Sequence, residues 1–139
     1  MILADRGAGD RAMDGPALLN KLQIKPGART RLIAAPADVA QALGGLVAPV
    51  GAGEPCDAAI AFCQTPDDVA RFAPLAMAGL VDDGVLWFAY RKGAVAKASG
   101  LSRDVGWDAL RENGWRTVRS IAFDEAWTGL RFRETSKVK

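Results

Sequence analysis

Residues 58–64 read Ala-Ala-Ile-Ala-Phe-Cys-Gln, and Thr65-Pro66-Asp67-Asp68 follow at once. The apolar run is continuous rather than alternating and has the length of a strand. That suits a parallel strand covered on both faces. The four residues after it mark a helix start: Thr caps, Pro takes the first helical position, and two acids face the positive end of the helix. Val69, Phe72, Ala73, Ala76, Met77 and Leu80 continue at helical spacing, and Pro74 is expected to kink or split the helix. Val81-Asp82-Asp83-Gly84 then reads as a turn, and Val85–Tyr90 (VLWFAY) as the next strand.

Upstream, Ala17–Leu22 is a short helix after Pro16, and Lys25-Pro26-Gly27 is a turn. Arg31–Ala35 reads as a buried strand ended by Pro36. Ala37–Leu43 is a helix closing at Gly44-Gly45, and Leu46–Val50 is a weak strand. Downstream, residues 91–103 form a basic loop, and Asp104–Asn113 a helix stopped by Gly114. Trp115–Phe123 and Trp127–Arg133 are two strands whose short link makes them an antiparallel hairpin. Alternating strands and helices predict a single-domain α/β fold, with a mostly parallel sheet and a C-terminal antiparallel hairpin. Residues 1–15 are polar and glycine-rich and read as a flexible tail, leaving residues 16–139 as the domain.

The 139 residues suffice for one core without disulfides. The absence of histidine excludes Ser-His-Asp and Cys-His catalysis, His-liganded zinc and a histidine pH switch. Cys56 and Cys63 do not have metal or redox-motif spacing and read as small apolar thiols of a reduced, cytoplasmic protein. Met1–Leu3 run straight into Asp5, so no secretory leader is expected, and no run is long enough to span a membrane. The net charge of +2 is uneven: residues 1–90 hold 7 basic and 10 acidic groups (−3), and residues 91–139 hold 11 and 6 (+5). Solvated faces account for most of it, while an anion site would use part.

The segment from Cys56-Asp57 through Gln64, with its helix, the Val81–Gly84 turn, VLWFAY, a further helix and a closing hairpin, resembles the second half of an S-adenosylmethionine-dependent methyltransferase domain. The likeness runs over roughly 105 residues from Thr30 and implies a reduced Rossmann-like sheet. The family carries a glycine-rich loop after its first strand and an acid at the end of its second. Here the first strand ends in Ala34-Ala35-Pro36-Ala37, and the second at Pro49-Val50. S-adenosylmethionine is therefore not expected to bind in the family's usual manner. The chain is also similar to a family of small uncharacterised bacterial proteins. They share Ile24–Gly27, Ala35-Pro36, Arg103–Trp107, and Asp124–Trp127 with Leu130–Arg133. That likeness implies no activity.

Ligands of open α/β sheets bind beyond the carboxyl ends of the parallel strands. Those ends present Ala35–Ala37, Gln64-Thr65 and Tyr90-Arg91-Lys92. If the last hairpin strand pairs with strand 85–90, Asp124, Glu125 and Trp127 join them, as does the loop bearing Ser99, Arg103 and Asp104. Arg91, Lys92, Lys97 and Arg103, with Ser99 and Ser102, suit a phosphate or carboxylate. A solvated basic loop is the preferred plainer reading. Arg103 and Asp104 can pair with Glu125 or Asp124 structurally, and Asp124-Glu125 reads first as a polar turn and second as an acid/base pair.

Of the tryptophans, Trp87 reads as core, Trp107 and Trp115 as packing helix on sheet, and Trp127 as partly exposed. Arg116, Arg119, Arg131 and Arg133 read as solvated or paired with Glu134. Basic and aromatic residues are too sparsely interleaved for a nucleic-acid surface. Gly51-x-Gly53 lacks the Gly-Lys-Ser/Thr of a phosphate loop, and nothing near Cys63 would activate its thiol. The expected function is non-catalytic binding of a small anionic ligand or a protein partner, with no metal and no membrane contact. The alternatives are a diverged methyltransferase and a homo-oligomerising module that dimerises through the hairpin edge or an exposed helix face.

Overall fold

The structure is a computed structural model that describes residues 14–51, 53–92, 100–102, 105–123 and 126–137. Helix α1 (Gly15–Leu22) leads to β1 (Arg29–Ile33), α2 (Ala37–Gly44) and the two-residue β2 (Ala48–Pro49). Then come β3 (Cys56–Cys63), α3 (Pro66–Met77), β4 (Leu80–Arg91), α4 (Asp108–Arg111), β5 (Trp115–Ala122) and β6 (Trp127–Glu134). Six strands form one sheet in the order β2-β1-β3-β4-β6-β5. The pairs β1·β2, β1·β3 and β3·β4 are parallel, while β6 runs antiparallel to both β4 and β5. This is the expected mostly parallel sheet with its antiparallel hairpin. No described helix is long and apolar enough to cross a membrane.

Strand β3 explains its own composition. Ala58, Ile60 and Phe62 pack with Leu18, Leu19 and Leu22 of α1 and Val39 and Leu43 of α2. Ala59, Ala61 and Cys63 pack with Val69, Ala73 and Ala76 of α3 and Leu110 of α4. Successive side chains leave a strand on opposite faces, so helices on both faces demand apolar residues at every position. Trp87 is fully buried on the α1 side, where its Nε1–H donates to Leu22 O at 2.9 Å. Trp107 is fully buried on the other side against Phe88, Tyr90 and Phe132, with Trp115 at the edge of that cluster.

Four local expectations need correction. Pro74 does not split α3, which runs unbroken to Met77. It sits in the last turn, where the one carbonyl deprived of a partner belongs to solvent-exposed Ala70. The Val81–Gly84 turn is instead a wide bulge inside β4: Leu80 pairs with Cys56 and Val85 with Ala58, so four residues oppose Asp57 alone. The helix expected over 104–113 is a single turn at Asp108–Arg111. Gly106 stops it from starting earlier, since its φ is +100° and a Cβ there would lie 2.4 Å from Leu101 Cδ2. Finally, α1 begins at Gly15, inside the span read as tail; residues 1–13 lie outside the described residues.

The bulge has an electrostatic clasp. Arg133 donates from Nε and Nη2 to the Asp83 carboxylate at 2.8 and 2.7 Å, and Lys137 pairs with Asp82 at 3.0 Å. Arg133 therefore pairs with Asp83, a residue the sequence reading had placed in a turn. The Arg133 hydrogen bonds hold the Asp83 carboxyl below its ordinary range. A depressed carboxyl contributes stability above its unfolded value, about pH 3.9, and loses it as pH falls through the folded value. Urea midpoints taken from pH 6 to pH 2 (~4 units spanning that value) are expected to fall less steeply for Asp83→Asn than for the parent. Equal slopes would show that the clasp contributes nothing.

Candidate functional site at the strand ends

Strand β1 has β2 on one side and β3 on the other, so the chain reverses its direction of travel across the sheet there. Such a switch point leaves a crevice beyond the carboxyl ends of the two strands. A cavity of about 520 Å³ occupies it. Ala34 and Pro36 line it after β1, Phe62 and Gln64 at the end of β3, Asp68, Arg71 and Phe72 from the first turns of α3, Arg91 at the end of β4, and Trp127 at the start of β6.

Each side chain is placed by a local rule. Thr65 caps α3, its Oγ1 accepting from Asp68 N at 3.2 Å. The Asp68 carboxylate accepts from Gln64 N at 2.9 Å and from Arg71 Nη2 at 2.5 Å. Arg71 also lies over the Phe72 ring, with Cζ 5.0 Å from the centroid. Across the cavity, Arg91 lies over the Trp127 ring at 5.3 Å. Trp127 meets Phe62 edge-on at 5.2 Å, and Phe62 meets Phe123 at 5.7 Å. Phe123 fits because residue 129 is glycine: a Cβ there would stand 2.2 Å from Phe123 Cε1.

Of the residues expected at this edge, Gln64, Arg91 and Trp127 line the cavity, and Thr65 caps the helix beside it. Tyr90 does not face it. It packs against Trp107 in the α3/α4 core, because neighbours on a strand point to opposite faces. Lys92 continues the β4·β6 pairing, its N–H donating to Ala126 O at 3.0 Å. Trp127 is only 8% exposed, so it is a wall of the cavity rather than an open platform. Ser99, Arg103, Asp104, Asp124 and Glu125, like Lys97, lie outside the described residues.

Phe62, Asp68, Arg71 and Phe72 were missed as site residues. Asp68 and Arg71 do carry a signal in their i, i+3 spacing, but it reads first as an ordinary helix-surface pair. Burial pushes the Cys63 thiol up to about 12, so it is inert. Among the described residues no cluster of His, Cys, Asp or Glu could hold a metal ion.

The turn after β1 overturns one inference. Ala34 has φ +57°, the left-handed conformation that glycine usually supplies. One left-handed position of the kind glycine usually supplies is therefore held by alanine. Left-handed geometry costs a non-glycine residue about 1–2 kcal/mol. Ala34→Gly is accordingly expected to raise stability, by up to about 1 kcal/mol after the entropy glycine loses. Ala34→Val is expected to lower it. Thermal melts of the two variants check the sign; a stabilised valine variant would refute the assignment.

No family model matches the chain, nor does any curated protein. Among solved structures, the chain is similar to the N-methyltransferase NodS from Bradyrhizobium japonicum WM9, with TM-score 0.53, 15% identity, and coverage of 95% of this chain and 99% of that one. It is also similar to a SAM-dependent methyltransferase from Aquifex aeolicus, at 0.53, 12%, 89% and 91%. A third is Aeropyrum pernix fibrillarin with natively bound S-adenosyl-L-methionine, at 0.51, 14%, 84% and 73%. The fold is thus a methyltransferase-like Rossmann fold. The expectation that S-adenosylmethionine is unlikely for want of a glycine-rich loop is corrected: the same fold holds it in Aeropyrum pernix fibrillarin, and here Ala34 takes a left-handed conformation without glycine.

Proposed function

We propose that this chain is an S-adenosylmethionine-binding domain of the methyltransferase type, with the cofactor at the β1 side of the cavity. The supporting observation is the β1–α2 turn. Ala34 is left-handed there, and the side chains of residues 34–37 are no larger than a methyl or a proline ring. The turn opens on the cavity at the switch point, and a nucleoside ligand needs such bare backbone to approach. Phe62 would supply an apolar floor, and Gln64 and Asp68 the polar groups for the ligand's hydroxyl and amino groups. When bound, S-adenosylmethionine supplies a methyl group on a positively charged sulfur, activated for transfer. The non-catalytic reading rests on the missing glycine loop together with the retained sheet edge, and the left-handed Ala34 weakens the first of these grounds.

Calorimetric titration with S-adenosylmethionine and with S-adenosylhomocysteine tests the proposal. Submillimolar binding is expected, together with shifts in the backbone amide resonances of Ala34 and Gln64. No heat and no shift at millimolar ligand would sink it.

A further inference from the structure

The two cations facing the cavity are not equivalent. Arg71 is committed: its guanidinium bonds the Asp68 carboxylate. Arg91 makes no ion pair with any described residue, although it is half-buried and lies over Trp127. Trp127 is itself buried and packs edge-on against Phe62. A guanidinium positioned on a fixed ring loses little freedom on binding, and its fork matches carboxylate and phosphate oxygens. Partial burial with no ion-pair partner among the described residues leaves its charge open to an incoming anion.

The site is wide enough for a second ligand. Ala34 directly follows β1 and Trp127 opens β6, and β3 and β4 lie between those two strands. Three inter-strand spacings make about 14 Å. The β1 end has the bare turn, and the β4–β6 end has Arg91 on Trp127.

We propose that the Arg91–Trp127 end of the cavity binds the carboxylate or phosphate of a small anionic acceptor, beside a cofactor at the β1 end. The acceptor role rests on the methyltransferase reading above, whereas the anion site does not. The acceptor's anionic group sits on the Arg91 fork, and any planar part of it lies toward Trp127 and Phe62.

The test titrates inorganic phosphate and benzoate separately, with and without saturating S-adenosylhomocysteine. The tryptophan indole N–H resonances are followed, and that of Trp127 is assigned by Trp127→Phe. At least one anion is expected to move the Trp127 resonance saturably. Arg91→Gln is expected to weaken that anion at least tenfold and leave S-adenosylhomocysteine affinity within twofold. Arg91→Lys, which keeps the charge and loses the fork, is expected to fall between them. Dispersed amide spectra confirm that each variant is folded. If neither anion moves Trp127, or Arg91→Gln binds the anion as well as the parent, the proposal is wrong. If Arg91→Gln instead loses S-adenosylhomocysteine, Arg91 serves the cofactor and the acceptor assignment falls. Arg91-dependent anion binding by a parent that ignores S-adenosylhomocysteine would support the anion site and defeat the cofactor reading.

Discussion

Arg31→Ala is expected to lower stability by about 2–6 kcal/mol. Arg31 stands in the middle of β1 at 4% exposure, and its guanidinium serves four backbone carbonyls. Nε donates to Gly51 O at 3.2 Å, Nη1 to Leu75 O at 2.9 Å and also to Ala78 O, and Nη2 to Glu54 O. Leu75 and Ala78 belong to the carboxyl end of α3, where carbonyls lack partners within the helix and a cation is favoured. One side chain thus joins the end of α3 and the 51–54 loop to β1. Removal strands four carbonyls, each at about 1–3 kcal/mol when buried, and adds a cavity. The four residues are themselves exposed, so water recovers part of that sum; half of it, about 2–6 kcal/mol, is still a large share of a domain's whole stability, about 5–15 kcal/mol. Arg31→Lys has fewer donors and lacks the fork, so it is expected to fold with a lower urea midpoint. An Arg31→Ala protein with a parental midpoint would mean that water replaces the guanidinium without loss.

Trp107→Ala is expected to cost about 3–5 kcal/mol, the usual range for deleting a buried aromatic. The ring is fully buried, with centroids 5.5 Å from Phe132, 5.9 Å from Tyr90 and 6.2 Å from Phe88. Its Nε1–H donates to Ser102 O at 2.7 Å, which ties the segment before α4 to the core. Trp107→Phe separates the two roles, since it retains most of the packing and loses the hydrogen bond. Its expected signature is a modest fall in global stability with faster amide exchange at Leu101 and Ser102. Unchanged exchange there would assign the whole effect to packing.

The elements around β3 were legible because their cause is local. A run apolar at every position states that both faces are covered, and Thr65-Pro66-Asp67-Asp68 carries its helix start in four residues. The site was half legible. Gln64 and Arg91 follow from the rule that ligands lie beyond strand ends. Tyr90 was misplaced because strand alternation, applied one residue further, turns it to the other core. Phe62 and Phe72 looked like core at strand and helix spacing, and they are both core and cavity wall. The short α4 departs from the expected helix because Gly106 is left-handed and a Cβ there would meet Leu101, neither of which its neighbours in sequence announce.

The sequence alone determined the fold class: periodicity, caps and turn residues report which faces meet core and which meet water, and that is enough to order strands and helices. It also removed histidine chemistry outright. The tertiary structure decided everything that needs two distant segments in register. It brought β6 beside β4, so that Trp127 lies under Arg91, and it placed Arg31 among carbonyls of α3 and the 51–54 loop. It put Ala34 into a left-handed conformation where the letters show no glycine. A residue name limits the backbone states a position favours, but packing over the whole domain selects the state it adopts.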